Sequence, residues 1–184
     1  MVANHLSDLD VSILSSIMPL VFVAAVEVRE TLFMGTMARL GGGYFVERRN
    51  KFQLYKELIM VRQLLDQGFN LALFPEGASS NGEGVQPFKN ALFQAAIDAE
   101  AIVLPVCLNY RRLNGQPLTA QNRDRVFFYG NMGFTAHLAK LLTTRSIDVE
   151  CRFLPAIPLV KTDSRQEIAQ KAQRAIAEHY TSIH

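Results

Sequence analysis

The sequence predicts a single α/β domain in which helices flank a mixed, mostly parallel sheet. Apolar runs of strand length alternate with helix-period segments along the whole chain. The 184 residues, 49% hydrophobic and 20% charged, suffice for one substantial core. With no internal repeat and no low-complexity linker, residues 1–184 are expected to form one domain.

Ser7 followed by Asp10 has the form of a capping box, so a helix is expected over residues 8–17, stopped by Pro19. The run "LVFVAAV" at 20–26 reads as a buried strand by its length and β-branching. A helix over about 29–40 follows, closed by Gly41, Gly42 and Gly43. "YFVER" is a short strand, and residues 51–67 form an amphipathic helix ending at Gly68. "NLALFPEG" at 70–77 is a strand that runs into a turn, because Pro75 cannot continue a central ladder. Residues 78–87 are polar and glycine-rich, hence loop. A helix over 88–99, the strand "AIVLPVCLNY" and a turn at Asn114-Gly115 come next. A strand at 125–129, a helix at 134–142, a strand at 147–154 and a helix over about 163–181 complete the chain.

Charge and composition exclude several classes. The balance of 19 basic against 17 acidic residues, net +2, is too weak for nucleic acid to be the main partner. Every basic residue lies at or after Arg29, so the start has no positive region of the kind a secretory signal needs. The longest apolar stretch, residues 13–26, holds Pro19 and is shorter than the roughly 18–20 residues that cross a bilayer. Cys107 and Cys151 sit in strand-like runs without a CxxC partner, which reads as two buried free thiols in a reducing, cytosolic setting. No metal site is indicated.

The chemistry-bearing residues begin with "NHLSDLD" at 4–10. If His5 lies just before the helix and Asp10 in its first turn, the carboxylate can hold one ring nitrogen and leave the other as a proton acceptor. In the plainer alternative Asp10 serves only the helix start and His5 is a loop residue. "LFPEGASSNGEG" follows a strand, where open α/β sheets place ligands. There Glu76 can orient a substrate hydroxyl or a backbone amide, or simply cap the turn. A serine nucleophile elbow is the rival reading of "GASSNG", but Asn81 stands where G-x-S-x-G needs glycine. His137, His179 and His184 are its candidate bases, without supporting spacing.

Arg48 and Arg49, with Lys51 after them, form either a phosphate clamp or a solvated strand end. No GxGxxG supports a dinucleotide site. Lys89 at a helix start makes sense near an anion. Pro105 inside an apolar strand implies an edge, a bulge or a strand end.

In their order along the chain these stretches resemble the glycerolipid acyltransferase family, whose best-known members are 1-acylglycerol-3-phosphate acyltransferases. The blocks are "NHLSDLD" (4–10), "GGYFVER" (42–48), "FPEGASS" (74–80) and "VLPV" (103–106). The resemblance implies that His5 is a general base toward a lipid hydroxyl and that Asp10 holds its tautomer. It implies that Arg48 holds the acceptor's phosphate, that Glu76, Gly77 and Ser80 shape the acceptor site, and that Pro105 belongs to the acyl-donor block. The resemblance also implies acyl-CoA or acyl-carrier protein as the donor co-substrate, with no cofactor and no metal expected. The acceptor it implies is a lysophospholipid, first lysophosphatidic acid giving phosphatidic acid. A membrane surface is the expected partner, with the protein peripheral on the cytoplasmic face.

Three departures from the family pattern bear on the acceptor and the extent of the chain. Ala78-Ser79-Ser80 stands where Thr-Arg-Ser is usual, so a second phosphate-binding arginine is missing. Lys89 then compensates, or the acceptor is another lyso-lipid such as a lyso-ornithine lipid. Ala25 occupies a position commonly lysine, and only three residues precede Asn4, so an upstream N-terminal segment is expected to be lacking. A non-catalytic lipid-binding domain is the remaining alternative.

Overall fold

The computed structural model describes residues 1–25, 44–46 and 51–184. The expected helix over 29–40, the three glycines after it and Arg48 lie outside the described residues.

Among the described residues seven strands form the main sheet: β1 (Val2–Ala3), β2 (Val21–Ala25), β3 (Tyr44–Val46), β4 (Leu71–Leu73), β6 (Pro105–Leu113), β7 (Gln116–Pro117) and β8 (Ile147–Phe153). Their order is β3-β2-β4-β1-β6-β7, with β8 also paired to β6. The pairs among β3, β2, β4, β1 and β6 are parallel, whereas β7 and β8 join β6 antiparallel. The sheet is therefore mixed and mostly parallel, as the alternating pattern predicts. Strands β5 (Ile102–Val103), which lies within the strand expected at 101–110, and β9 (Ile157–Pro158), too short to leave a sequence signal, form a separate antiparallel pair.

Period-2 alternation sorts the strand residues onto two faces. Ala3, Phe22, Ala72, Val106 and Leu108 pack with Leu14 of α1 (Leu9–Ile17) on one side. Val2 faces the other way, against α3 (Phe93–Asp98) and α5 (Arg165–His179) through Phe93, Ile97, Ile168 and Ala172. Val23 and Leu71 meet Val61 of α2 (Lys51–Asp66) on that second side. Helices on both faces of a parallel sheet are what strands buried on both sides require.

Three expected elements differ. The helix expected over 88–99 is only α3, because the Lys89 backbone N–H donates to the Pro75 carbonyl and holds the chain to the loop after β4. Lys89 is thus not at a helix start. The strand expected at 101–110 breaks at Leu104, whose carbonyl accepts from Val2 N–H at 2.9 Å. Pro105, lacking an N–H, begins the new strand β6 there. The strand expected at 125–129 is a 3₁₀ turn, Arg123–Arg125, followed by irregular chain. Val126 and Phe127 are apolar and buried, but their neighbours bond to loops: Phe128 N–H donates to the Leu6 carbonyl. Burial without a ladder looks like a strand in the sequence. Helix α4 (Phe134–Leu142) follows as expected.

The Asn114-Gly115 turn joins β6 to β7 with φ of 52° and 78°, the left-handed pair a tight hairpin needs. No helix among the described residues is long and apolar enough to cross a membrane.

Candidate active site

Strands β1 and β4 are parallel neighbours, so the loops that leave their C-terminal ends emerge side by side. The first loop carries Asn4 and His5, the second Phe74 to Gly77. Asn4 is buried and extends the pairing of β1 with β6 by its side chain: Nδ2 donates to the Leu108 carbonyl and Oδ1 accepts from Leu108 N–H. That ties the chain down at the residue before His5.

Four contacts then hold His5. Its backbone N–H donates to Glu76 Oε1 at 2.9 Å, and its carbonyl accepts from Ser80 N–H at 2.9 Å. Its ring stacks on Phe74, centroids 4.1 Å apart and planes 12° from parallel. Its Nδ1 lies 2.8 Å from Asp10 Oδ2. A carboxylate only accepts, so in the neutral imidazole the proton is on Nδ1 and the lone pair on Nε2. The side chain of His5 is 19% exposed, that of Asp10 0%. Among the described residues Nε2 has no hydrogen-bond partner.

Asp10 performs both tasks that the sequence left as alternatives. Its Oδ2 accepts from the backbone N–H groups of Leu6 at 2.7 Å and Ser7 at 3.0 Å, which closes the helix start. The same oxygen holds the imidazole, and Oδ1 accepts from the Tyr110 hydroxyl at 2.6 Å. Ser7 Oγ does not cap by bonding Asp10 N–H. It donates to the Val126 carbonyl at 2.6 Å and accepts from Leu9 N–H.

Glu76 is 7% exposed, and both its oxygens accept backbone N–H groups, Oε1 from His5 and Oε2 from Gln86 at 3.0 Å. Of the roles open to it in the sequence, the backbone one is seen. Burial pushes its carboxyl up to about 7, against the opposing pull of the two N–H groups. Asp8, beside the pair, is raised to about 6 by burial, offset in part by His5.

Gly77 has φ +83°, and Lys89 Nζ occupies the space that a Cβ there would fill. Lys89 is therefore next to the loop that holds His5. Ser80 is buried and its Oγ accepts from Gly82 N–H at 3.4 Å. Pro105 pairs with Val2, three residues before His5. Phe74, Tyr110 and residues 126–128 complete the site and were not singled out from sequence, where an aromatic or apolar run signals only core.

Two of the three histidines that a serine nucleophile could use are engaged elsewhere. His137 is buried with Nε2 3.1 Å from the Val126 carbonyl, and burial lowers its basicity. His179 Nδ1 is 2.9 Å from the Ala175 carbonyl. Ser79 Oγ donates to the Phe128 carbonyl.

The Acyltransferase family model matches residues 1–109, more than half of the chain and both loops that carry His5 and Glu76. The chain belongs to the Acyltransferase family. This family member is 29% identical over 174 residues to a 1-acyl-sn-glycerol-3-phosphate acyltransferase of Neisseria gonorrhoeae, covering 95% of this chain and 66% of the relative. It is 35% identical over 175 residues to a lyso-ornithine lipid O-acyltransferase of Pseudomonas aeruginosa, covering 95% and 65%. The chain thus spans just under two thirds of each relative's length. Its fold matches the crystal structure of the 1-acyl-sn-glycerophosphate (LPA) acyltransferase from Thermotoga maritima with a TM-score of 0.63 and 20% identity, covering 97% of this chain and 63% of that one.

Proposed function

We propose that this Acyltransferase family member moves an acyl group from a thioester, acyl-CoA or acyl-carrier protein, to the free hydroxyl of a lyso-lipid. The observation that carries this reading is the His5 Nδ1 to Asp10 Oδ2 contact of 2.8 Å, which leaves Nε2 as the proton acceptor at the C-terminal edge of a parallel sheet. An alcohol is a poor nucleophile at neutral pH and needs such a base. Nε2 takes the hydroxyl proton as the oxygen bonds to the thioester carbon. The carbon–sulfur bond then breaks, and the imidazolium returns the proton to the leaving thiolate. No acyl-enzyme forms, and the reaction balances without a metal or cofactor.

Lysophosphatidic acid is the first acceptor, with Arg48 as its phosphate clamp. One observation favours a lyso-ornithine lipid instead: Ser79, where the family pattern has a phosphate-binding arginine, turns its hydroxyl onto the Phe128 carbonyl. Lipid substrates imply peripheral binding at the cytoplasmic face of a membrane. Residues 125–147 support it, with three basic residues and no carboxylate, and with Leu142 78% exposed. The two cysteines are free thiols, which suits a reducing compartment.

The test is an acyl-transfer assay over a panel of lyso-lipids with both donors, run on the parent and on His5→Ala. Transfer to one acceptor class that disappears in His5→Ala is expected. Tight lyso-lipid binding without turnover would instead mark a lipid-binding domain.

A further inference from the structure

We propose that Tyr110 is a positioning residue that sets the orientation and basicity of the Asp10 carboxylate and, through it, the protonation of His5. The inference rests on the acyl-transfer reading above.

Tyr110 sits in β6 on the same face as Val106 and Leu108, the face that α1 covers. Alternation therefore directs its hydroxyl at Asp10 in the first turn of α1. The residue is 3% exposed, and Phe127 packs edge-on against its ring at 5.3 Å. The two oxygens of Asp10 are unequally loaded. Oδ2 accepts from His5 Nδ1, Leu6 N–H and Ser7 N–H, whereas Oδ1 accepts from Tyr110 as its one donor among the described residues.

Two consequences follow from that asymmetry. The phenol fixes the rotation of the carboxylate, so that Oδ2 stays aimed at the imidazole. It also drains negative charge toward Oδ1 and weakens the pull of Asp10 on a proton at His5. Burial raises Tyr110 well above the usual phenol range, so its hydroxyl stays a donor wherever the enzyme is folded. The other titratable groups around Asp10 are His5 and Asp8 from its own loop, Glu76 from the loop after β4, Cys151 from β8 and Tyr180 beyond α5. Of these besides His5, none donates to Asp10.

The experiment compares the pH profile of kcat, and the His5 ring titration by NMR, in the parent and in Tyr110→Phe. Loss of the donor is expected to lower kcat about tenfold or more, to spare both KM values, and to move the acid limb to higher pH. Leu118→Ala removes bulk from the same apolar cluster, outside the loops that hold His5 and Asp10, and is expected to lower stability while the limb stays in place. If Tyr110→Phe does not fold, 3-fluorotyrosine at position 110 keeps the ring and is a stronger donor, so the limb is expected to move to lower pH. An unmoved limb and unmoved His5 titration in these Tyr110 variants, or an equal movement in Leu118→Ala, overturns the role. Retained transfer in His5→Ala would overturn the base reading itself, a separate outcome.

Discussion

Glu76 Oε1 accepts the backbone N–H of His5 at 2.9 Å, so a side chain from the loop after β4 holds the main chain of His5 in place. Its second oxygen takes Gln86 N–H, and neither is left for a ligand's hydroxyl without breaking a bond that positions the chain.

This buried carboxyl makes stability depend on pH. Its value rises from 4.5 unfolded to about 7 folded, so between those limits the folded chain keeps a proton that the unfolded chain has lost. Stability from this group is full below about pH 4.5 and falls as pH rises through about 7, by up to about 3 kcal/mol. Urea denaturation across this range is expected to show the decline in the parent and a flatter profile in Glu76→Gln. A remaining slope belongs to Asp8, whose carboxyl is raised to about 6. Identical profiles in parent and variant would contradict the role of Glu76.

Asp10→Asn offers one acceptor where the parent has two. Either the imidazole or the Tyr110 hydroxyl then faces an amide N–H₂, and the tautomer that frees Nε2 is no longer enforced. A kcat loss of roughly 10²–10⁴-fold is expected, with smaller changes in KM. Loss confined to KM would point to substrate binding instead of proton transfer.

Gly77→Ala tests the loop. A side chain at φ +83° costs about 1–2 kcal/mol, and its Cβ must displace Lys89 Nζ. Lower stability together with lower turnover is expected. If Lys89 shifts without effect on turnover, its place beside the loop has no bearing on the reaction.

Arg48→Ala addresses the proposed phosphate clamp, which lies outside the described residues. Steady-state kinetics with lysophosphatidic acid are expected to show a raised acceptor KM and an unchanged donor KM. A lyso-ornithine acceptor, lacking phosphate, is expected to be insensitive. Equal changes in both KM values would remove the clamp.

Much of the fold was legible because strand and helix periods are local. The strand at 20–26 and the Asn114-Gly115 turn need only neighbours in the chain, whereas the two-residue strand β1 was not read from it. His5 and Asp10 were legible as a pair because five residues and a helix start bring them together. Where burial and hydrogen bonding part company, sequence misleads: residues 126–128 have a strand's composition, yet their polar groups bond Leu6, Ser7 and Ser79.

The α/β class, the family resemblance and the pairing of His5 with Asp10 could be read from the chain alone, since each is written in local spacing. Only the tertiary structure decided that Glu76 serves the His5 backbone and that Tyr110, 100 residues from Asp10, completes the carboxylate's bonding. Such contacts depend on which strands lie side by side and which face each residue takes, and no short stretch of chain encodes that.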